Sequence, residues 1–181
     1  MLNKKKALRK IIKVRVSAIS ADERRKREEI LHNNLFSMPE FLSASSVMLF
    51  ANLPDEIDTF SLIDKCIAMG KKVFLPVING DDMTVAEFTG EFKEGRFGIM
   101  EPSLLTPHSS LLTHNSIDFA LVPGVGFSPS GYRLGRGKGY YDKFLSKYSN
   151  LFTVGVCFRE QFYLDIPREP HDVPMNKVLV I

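Results

Sequence analysis

Tryptophan is missing from the sequence, and cysteine nearly so, with Cys66 and Cys157 alone among 181 residues. The two lie far apart and have no metal-ligand spacing, which excludes a cysteine-based zinc motif and leaves no disulfide framework. Each reads as a small core residue in a reduced compartment. No apolar run reaches the roughly 18 residues that a membrane span needs. The basic N-terminus lacks the apolar stretch and cleavage site of a secretory signal. Neither sign of charge dominates, because 24 Lys and Arg stand against 21 Asp and Glu, a formal net charge of +3. That balance suits small anions and is too mild and dispersed to argue for nucleic acid. Internal repeats, linkers and low-complexity tracts are absent too, so residues 1–181 are expected to form one domain. The expectation is a cytoplasmic monomer with no membrane and no nucleic-acid partner.

What the sequence does have is an unusual turn. Gly131 to Asp142 reads G-Y-R-L-G-R-G-K-G-Y-Y-D, with Gly135, Gly137 and Gly139 alternating with Arg136 and Lys138. Glycine lets a backbone approach a ligand closely, and successive N–H groups in such a turn form an anion-binding nest. Arg and Lys add donors suited to phosphate oxygens. The segment after Gly139 reads as a helix, whose N-terminus favours anions. The stretch is neither a Walker A loop, since Tyr132 stands where that motif needs Gly, nor a dinucleotide fingerprint, since Tyr140 stands where the third Gly belongs. A flexible basic surface turn is the plain alternative.

Around this turn the chain alternates helices with short apolar strands. Residues 4–19 place Leu8, Ile11, Ile12, Val16 and Ile19 at helical spacing, and set Lys5 and Arg9 on one face. Ser20-Ala-Asp-Glu23 is a capping box opening a second helix to about Ser37, with Ile30, Leu31 and Leu35 as its buried stripe. Val47–Ala51 is a strand, followed by a loop with Asp55, Glu56 and Asp58. Asp58 or Thr59 caps a helix whose apolar face is Phe60, Ile63, Ile67 and Met69, and Gly70 ends it. Asp55 and Glu56 are not needed for capping and lie where open α/β sheets bind ligands. Further strands are expected at 71–78, weakly at 83–88, and at 117–123, 152–158 and 177–181. Tyr141, Phe144, Leu145 and Tyr148 are the stripe of a helix between the last three. His108 and His114 complete no metal or triad spacing and read as loop residues. The fold class that follows is α/β: three αβα layers with a largely parallel central sheet, Rossmann-like but without the dinucleotide fingerprint.

Asp142 in a first helical turn and Asp172 in the loop before the last strand could hold Mg2+ beside a cationic nest. A helix-dipole contact and a turn role explain them equally well.

Val122-Pro-Gly-Val-Gly-Phe-Ser128 together with Gly131–Asp142 resembles the signature of the 5-formyltetrahydrofolate cyclo-ligase family. Lys5-Lys-Ala-Leu-Arg9, Asp55-Glu-Ile-Asp-Thr59, Gly98-Ile-Met-Glu-Pro102, and His171-Asp172 with Lys177-Val178 resemble other segments of that family. The resemblance implies an ATP- and Mg2+-dependent closure of 5-formyltetrahydrofolate, free or polyglutamylated, to 5,10-methenyltetrahydrofolate, with release of ADP and phosphate through a phosphorylated formyl group. It implies that Lys5, Arg9 and the run Arg133, Leu134, Gly135, Arg136, Gly137, Lys138, Gly139, Tyr140 and Tyr141 contact ATP, with Arg136 and Lys138 stabilising the transferring phosphoryl group. It implies that Asp142 and Asp172 bind Mg2+, and that Ala51, Glu56, Arg136, Gly137, Lys138, Gly139 and Tyr140 border the folate. The alternative from another class is a non-catalytic module for phosphorylated ligands or RNA. Against it, acidic residues such as Glu23, Glu28, Asp55 and Glu56 interrupt the cations.

Overall fold

The computed structural model describes residues 2–95, 100–103, 117–148 and 150–181. In order they form α1 (Leu2–Ser17), α2 (Ala21–Phe36), α3 (Pro39–Ser43), β1 (Ser46–Met48), α4 (Phe60–Ala68), β2 (Lys72–Asn79), β3 (Asp82–Glu87), β4 (Phe92–Glu94) and β5 (Met100–Pro102). Then come β6 (Phe119–Val122), β7 (Gly126–Phe127), β8 (Arg133–Leu134), α5 (Tyr140–Leu145), β9 (Phe152–Cys157), a short 3-10 turn at Arg159–Gln161, and β10 (Lys177–Val180).

Among the described residues, six strands share one sheet in the order β10-β9-β6-β1-β2-β3. Every neighbouring pair is parallel except β2 with β3. Those two are joined by the two-residue turn Gly80-Asp81, with Gly80 at φ +62°, and such a tight hairpin forces an antiparallel pair. Side chains alternate across the sheet as strand geometry requires. Val47, Val73, Leu75, Phe119, Leu121, Val154 and Val156 join the apolar core under α1 to α4. Met48, Phe74, Ala120 and Val122 point the other way, into a smaller core with Phe144 and Leu145 of α5. One face thus carries four helices and the other one short helix, a lopsided version of the expected αβα layering.

Several local expectations shift. Ser20 accepts the Glu23 N–H at 3.2 Å, but the Glu23 carboxylate turns to Arg27 at 2.8 Å, so half of the capping box forms. Ile11, Ile30, Ile67 and Met69 are exposed, because α1, α2 and α4 bury narrower stripes: Ile12 and Val16, Leu31 and Leu35, and Leu62, Ile63 and Cys66. The strand expected at 47–51 is β1, which ends at Met48. Asp58, rather than Thr59, supplies the cap of α4 by accepting the Phe60 N–H at 2.9 Å. Both cysteines are fully buried, and burial pushes each thiol up to about 12. His108 and His114 lie outside the described residues, as do Gly98 and Ile99.

The chain starts near the middle of the sheet at β1, works outward through β2 and β3, then returns to β6 on the other side of β1 and continues to β9 and β10. The reversal falls between β1 and β6. Loops leaving the carboxyl ends of those strands diverge there and open a crevice.

Candidate active site

The crevice is a cleft of about 320 Å3. The loop after β1 contributes Phe50, Ala51, Leu53 and Glu56, and the loop after β6 contributes Pro123 and Gly124. Pro76 and Ile78 of β2, Met83 of β3, and Met100 and Glu101 of β5 make another wall. Arg133, Gly135, Arg136 and Lys138–Asp142 bring in the glycine turn. Apolar side chains and a few convergent polar groups are the usual make-up of a small-molecule site.

The turn is held from three sides. Gly131, at φ +82°, lies so close to Met175 that an added Cβ would fall 2.4 Å from its carbonyl oxygen, and the two backbones bond through Met175 N–H to Gly131 O at 2.9 Å. Arg9 of α1 donates through Nε to the Gly135 carbonyl at 2.8 Å. Tyr140 Oη and Lys143 Nζ donate to the carbonyls of Gly80 and Asp81 at 3.3 and 3.2 Å, which ties the β2–β3 hairpin to α5. Gly137 and Gly139 sit at φ +112° and +69°, conformations that side-chain-bearing residues avoid. Gly139 caps α5 without any side-chain hydrogen bond.

Arg133 lies 6% exposed beneath the turn. Its Nη2 meets Asp142 Oδ2 at 2.8 Å, its guanidinium covers the Tyr141 ring at 5.0 Å, and its Nε is buried with no partner among the described residues. Gly124 makes room for its stem, since a Cβ there would come within 2.7 Å of Arg133 Cγ.

A profile of the 5-formyltetrahydrofolate cyclo-ligase family matches residues 1–181. The chain belongs to the 5-formyltetrahydrofolate cyclo-ligase family. Among its relatives, the mouse 5-formyltetrahydrofolate cyclo-ligase is 29% identical over 97% of this chain and 92% of its own length. The probable 5-formyltetrahydrofolate cyclo-ligase of Caenorhabditis elegans is 30% identical over 97% and 91%. The NMR structure of Aquifex aeolicus 5,10-methenyltetrahydrofolate synthetase superposes with a TM-score of 0.85 at 32% identity, covering 97% of this chain and 89% of that one. The fold is shared with the synthetase from Mycoplasma pneumoniae, at a TM-score of 0.76 and 22% identity.

In this cyclo-ligase the residues expected from sequence fall into three groups. Ala51, Glu56, Arg133, Gly135, Arg136, Lys138, Gly139, Tyr140, Tyr141 and Asp142 all line the cleft. Gly137 and Arg9 are near each other and are not among the lining residues, and the Leu134 side chain is 1% exposed in the main core, so only its backbone faces the loop. Lys5 and Asp172 meet each other at 3.1 Å rather than lining the cleft, and Glu169 stands 3.8 Å from Lys5.

The charges are largely paired. Arg136 spans to Asp55 at 2.7 Å and Glu56 at 3.0 Å. Burial works to raise Asp55, but the hydrogen bond and charge of Arg136 outweigh it and hold the carboxyl below its ordinary range. Burial likewise works to lower Arg136, and the two acids win, holding it above its usual value. Burial pushes the Tyr141 phenol up, with Glu56 adding to the effect. Lys138 has no ion pair or hydrogen bond among the described residues, although it lines the cleft.

For a hard divalent cation the oxygen donors are present. Asp142 Oδ1 accepts the Val173 N–H at 3.3 Å, which brings Asp142 next to the Asp172 loop. Ligand atoms of Glu169, His171 and Asp172 lie within 4.8 Å of one another; Asp142 is not part of that group. Asp172 Oδ2 accepts from Glu169 N at 2.7 Å and Lys5, which among the described residues leaves Oδ1 with only His171 at 3.9 Å. Carboxylate oxygens of this kind fit Mg2+ shared with phosphate.

Sequence reasoning missed Glu101 and the hairpin wall. The available signal was the segment Gly98-Ile-Met-Glu-Pro102, which carried part of the family resemblance but gave Glu101 no role.

Proposed function

We propose that this cleft is where the chain cyclises 5-formyltetrahydrofolate to 5,10-methenyltetrahydrofolate, with ATP converted to ADP and phosphate. The observation that carries the assignment to this cleft is its one unpaired lining cation, Lys138, among the described residues, on a largely apolar space. The folate bicycle suits the apolar wall and the triphosphate suits the glycine turn. Ala51 and Glu56 border the folate, together with Arg136, Gly137, Lys138, Gly139 and Tyr140.

The formyl oxygen is a poor leaving group. In the proposed sequence it attacks the γ-phosphorus of ATP, ADP departs, and N5 and the formyl carbon share the positive charge of an iminium phosphate. N10 then adds to that carbon, loses its proton and expels phosphate, which leaves the methenyl bridge. Such chemistry asks for alignment and charge neutralisation rather than a protein nucleophile. Lys138 takes charge on the transferring phosphoryl oxygens, and Arg136 joins it by leaving Asp55 and Glu56. Lys5 and Arg9 on α1, with Arg133 to Tyr141, surround the remaining phosphates, Leu134 by its backbone alone. The buried Arg133 Nε is a donor ready for an anionic oxygen. Asp142 and Asp172 would hold Mg2+, which neutralises phosphate charge when bound. The enzyme acts on free small molecules, as a cytoplasmic monomer. None of its described helices is long and apolar enough to cross a membrane.

The test is formation of the methenyl chromophore from 5-formyltetrahydrofolate by purified protein. It should require ATP and Mg2+ together. Absence of chromophore with every nucleotide tried would remove the reading.

A further inference from the structure

Glu101 has no part in the account above. It sits in β5, 5% exposed, and lines the apolar wall of the cleft. Oε1 accepts the Ile78 N–H at 3.2 Å. Among the described residues no cation pairs with this carboxylate, and nothing donates to Oε2. Burying a carboxylate on a single backbone N–H is costly unless something else supplies donors. The seat is also kept tight: a Cβ on Gly95 would lie 2.3 Å from Glu101 Cδ.

The other carboxylates on the cleft are already occupied. Glu56 gives Oε1 to Arg136 and Oε2 to the Leu53 N–H at 3.0 Å. Asp142 gives Oδ2 to Arg133 and Oδ1 to Val173. Glu101 alone among them retains an oxygen without a partner in the described structure.

We propose that Glu101 recognises the 2-amino-4-oxopyrimidine edge of the folate's reduced pterin, accepting hydrogen bonds from N3–H and the 2-amino group. The inference rests on the cyclo-ligase reading and deepens it. Two parallel N–H donors match a carboxylate fork, and an oxygen that already accepts one bond keeps a second lone pair. Pro76, Ile78, Met83 and Met100 flank Glu101 on the same wall and suit the faces of the bicycle. N5 lies in the other ring of the bicycle, and N10 one methylene beyond that ring. Anchoring the edge at β5 directs them toward Arg136 and Lys138. Glu101 is then a specificity and positioning residue.

The experiment uses full-length Glu101→Gln and Glu101→Asp with two substrates: 5-formyltetrahydrofolate, and the analogue bearing methyl in place of the 2-amino group. Glu101→Gln should raise KM for 5-formyltetrahydrofolate about tenfold or more and leave KM for ATP within about twofold, with Glu101→Asp recovering part of the loss. Wild type should discriminate against the analogue, and Glu101→Gln should lose most of that discrimination, which a purely structural role would not do. Unchanged KM for the folate, or equal discrimination in wild type and Glu101→Gln, overturns the proposal. Should Glu101→Gln fail to fold, Glu56→Gln answers the same question: discrimination that persists supports Glu101, and discrimination that vanishes overturns it. Failure of the cyclo-ligase reading looks different, since wild type would then form no methenyl product at all.

Discussion

Arg136 Nη2 lies 3.0 Å from Glu56 Oε1, a contact between residues 80 positions apart in the chain. With Asp55 added at 2.7 Å, the cation assigned to the phosphoryl group is held by two acids before any ligand arrives. Binding a triphosphate must exchange those partners for phosphate oxygens.

Asp55→Asn should therefore tighten ATP binding, by about two- to fivefold, because one competitor is removed. The Arg136 and Asp55 side chains are 46% and 41% exposed, so the lost pair should cost only about 0.2–1 kcal/mol of stability. Titration calorimetry with a non-hydrolysable ATP analogue checks it. Weaker binding in Asp55→Asn would mean that the acid orients Arg136 rather than restraining it.

Lys138→Ala should lower kcat by about 10²–10³-fold, the range for removing one preorganised donor to developing charge. Lys138 is exposed and contributes to neither apolar core, so the melting temperature should not move. Loss of the thermal transition would mark the turn as structural instead.

Arg133→Met should do the opposite. It removes the cation beside Asp142, whose side chain is 12% exposed, and leaves that charge without its partner. Breaking such a pair costs about 3–5 kcal/mol, read as a lower denaturation midpoint in urea. Arg133→Met with Asp142→Asn should recover part of the stability without restoring turnover.

His32 gives a pH dependence. It is 8% exposed, with Lys65 Nζ 2.8 Å from Nδ1, an arrangement that needs a neutral imidazole accepting at that nitrogen. Burial and the Lys65 charge both lower its pKa below the ordinary 6.5. A group with a depressed folded pKa contributes stability above its unfolded pKa and loses it as pH falls. The melting temperature should thus decline as pH drops from about 7 toward about 5, and His32→Gln should flatten that slope. An unchanged slope in His32→Gln would assign it to other groups.

The parallel strands were legible because each is a short apolar run between turn residues, and Phe119–Val122 reads as buried on both faces, as it is. Gly137 and Gly139 were legible as turn glycines because positive φ has few other solutions. Helix faces were read too broadly: Ile11 and Ile30 lie at helical spacing with buried neighbours, yet the partner surface ends before reaching them. Pairings across the chain left no local trace. Arg136 with Asp55 and Glu56, Lys5 with Asp172, and Arg9 with Gly135 depend on crossovers that bring distant segments to one crevice. The place of Glu101 on the cleft wall was hidden for a related reason, although its segment carried part of the family resemblance. The hairpin that carries it is two three-residue strands, too short for alternation to register.

The β2–β3 hairpin gives the cleft two unlike sides. The loops after β1 and β6 spring from the middle of the sheet, where strands flank them left and right, and cannot shift without disturbing the ladder. The hairpin is the margin, fastened near its tip by Tyr140 and Lys143. Among the described walls of the crevice, that border is the one placed to bow outward for a bulkier bicycle without disturbing the middle of the sheet.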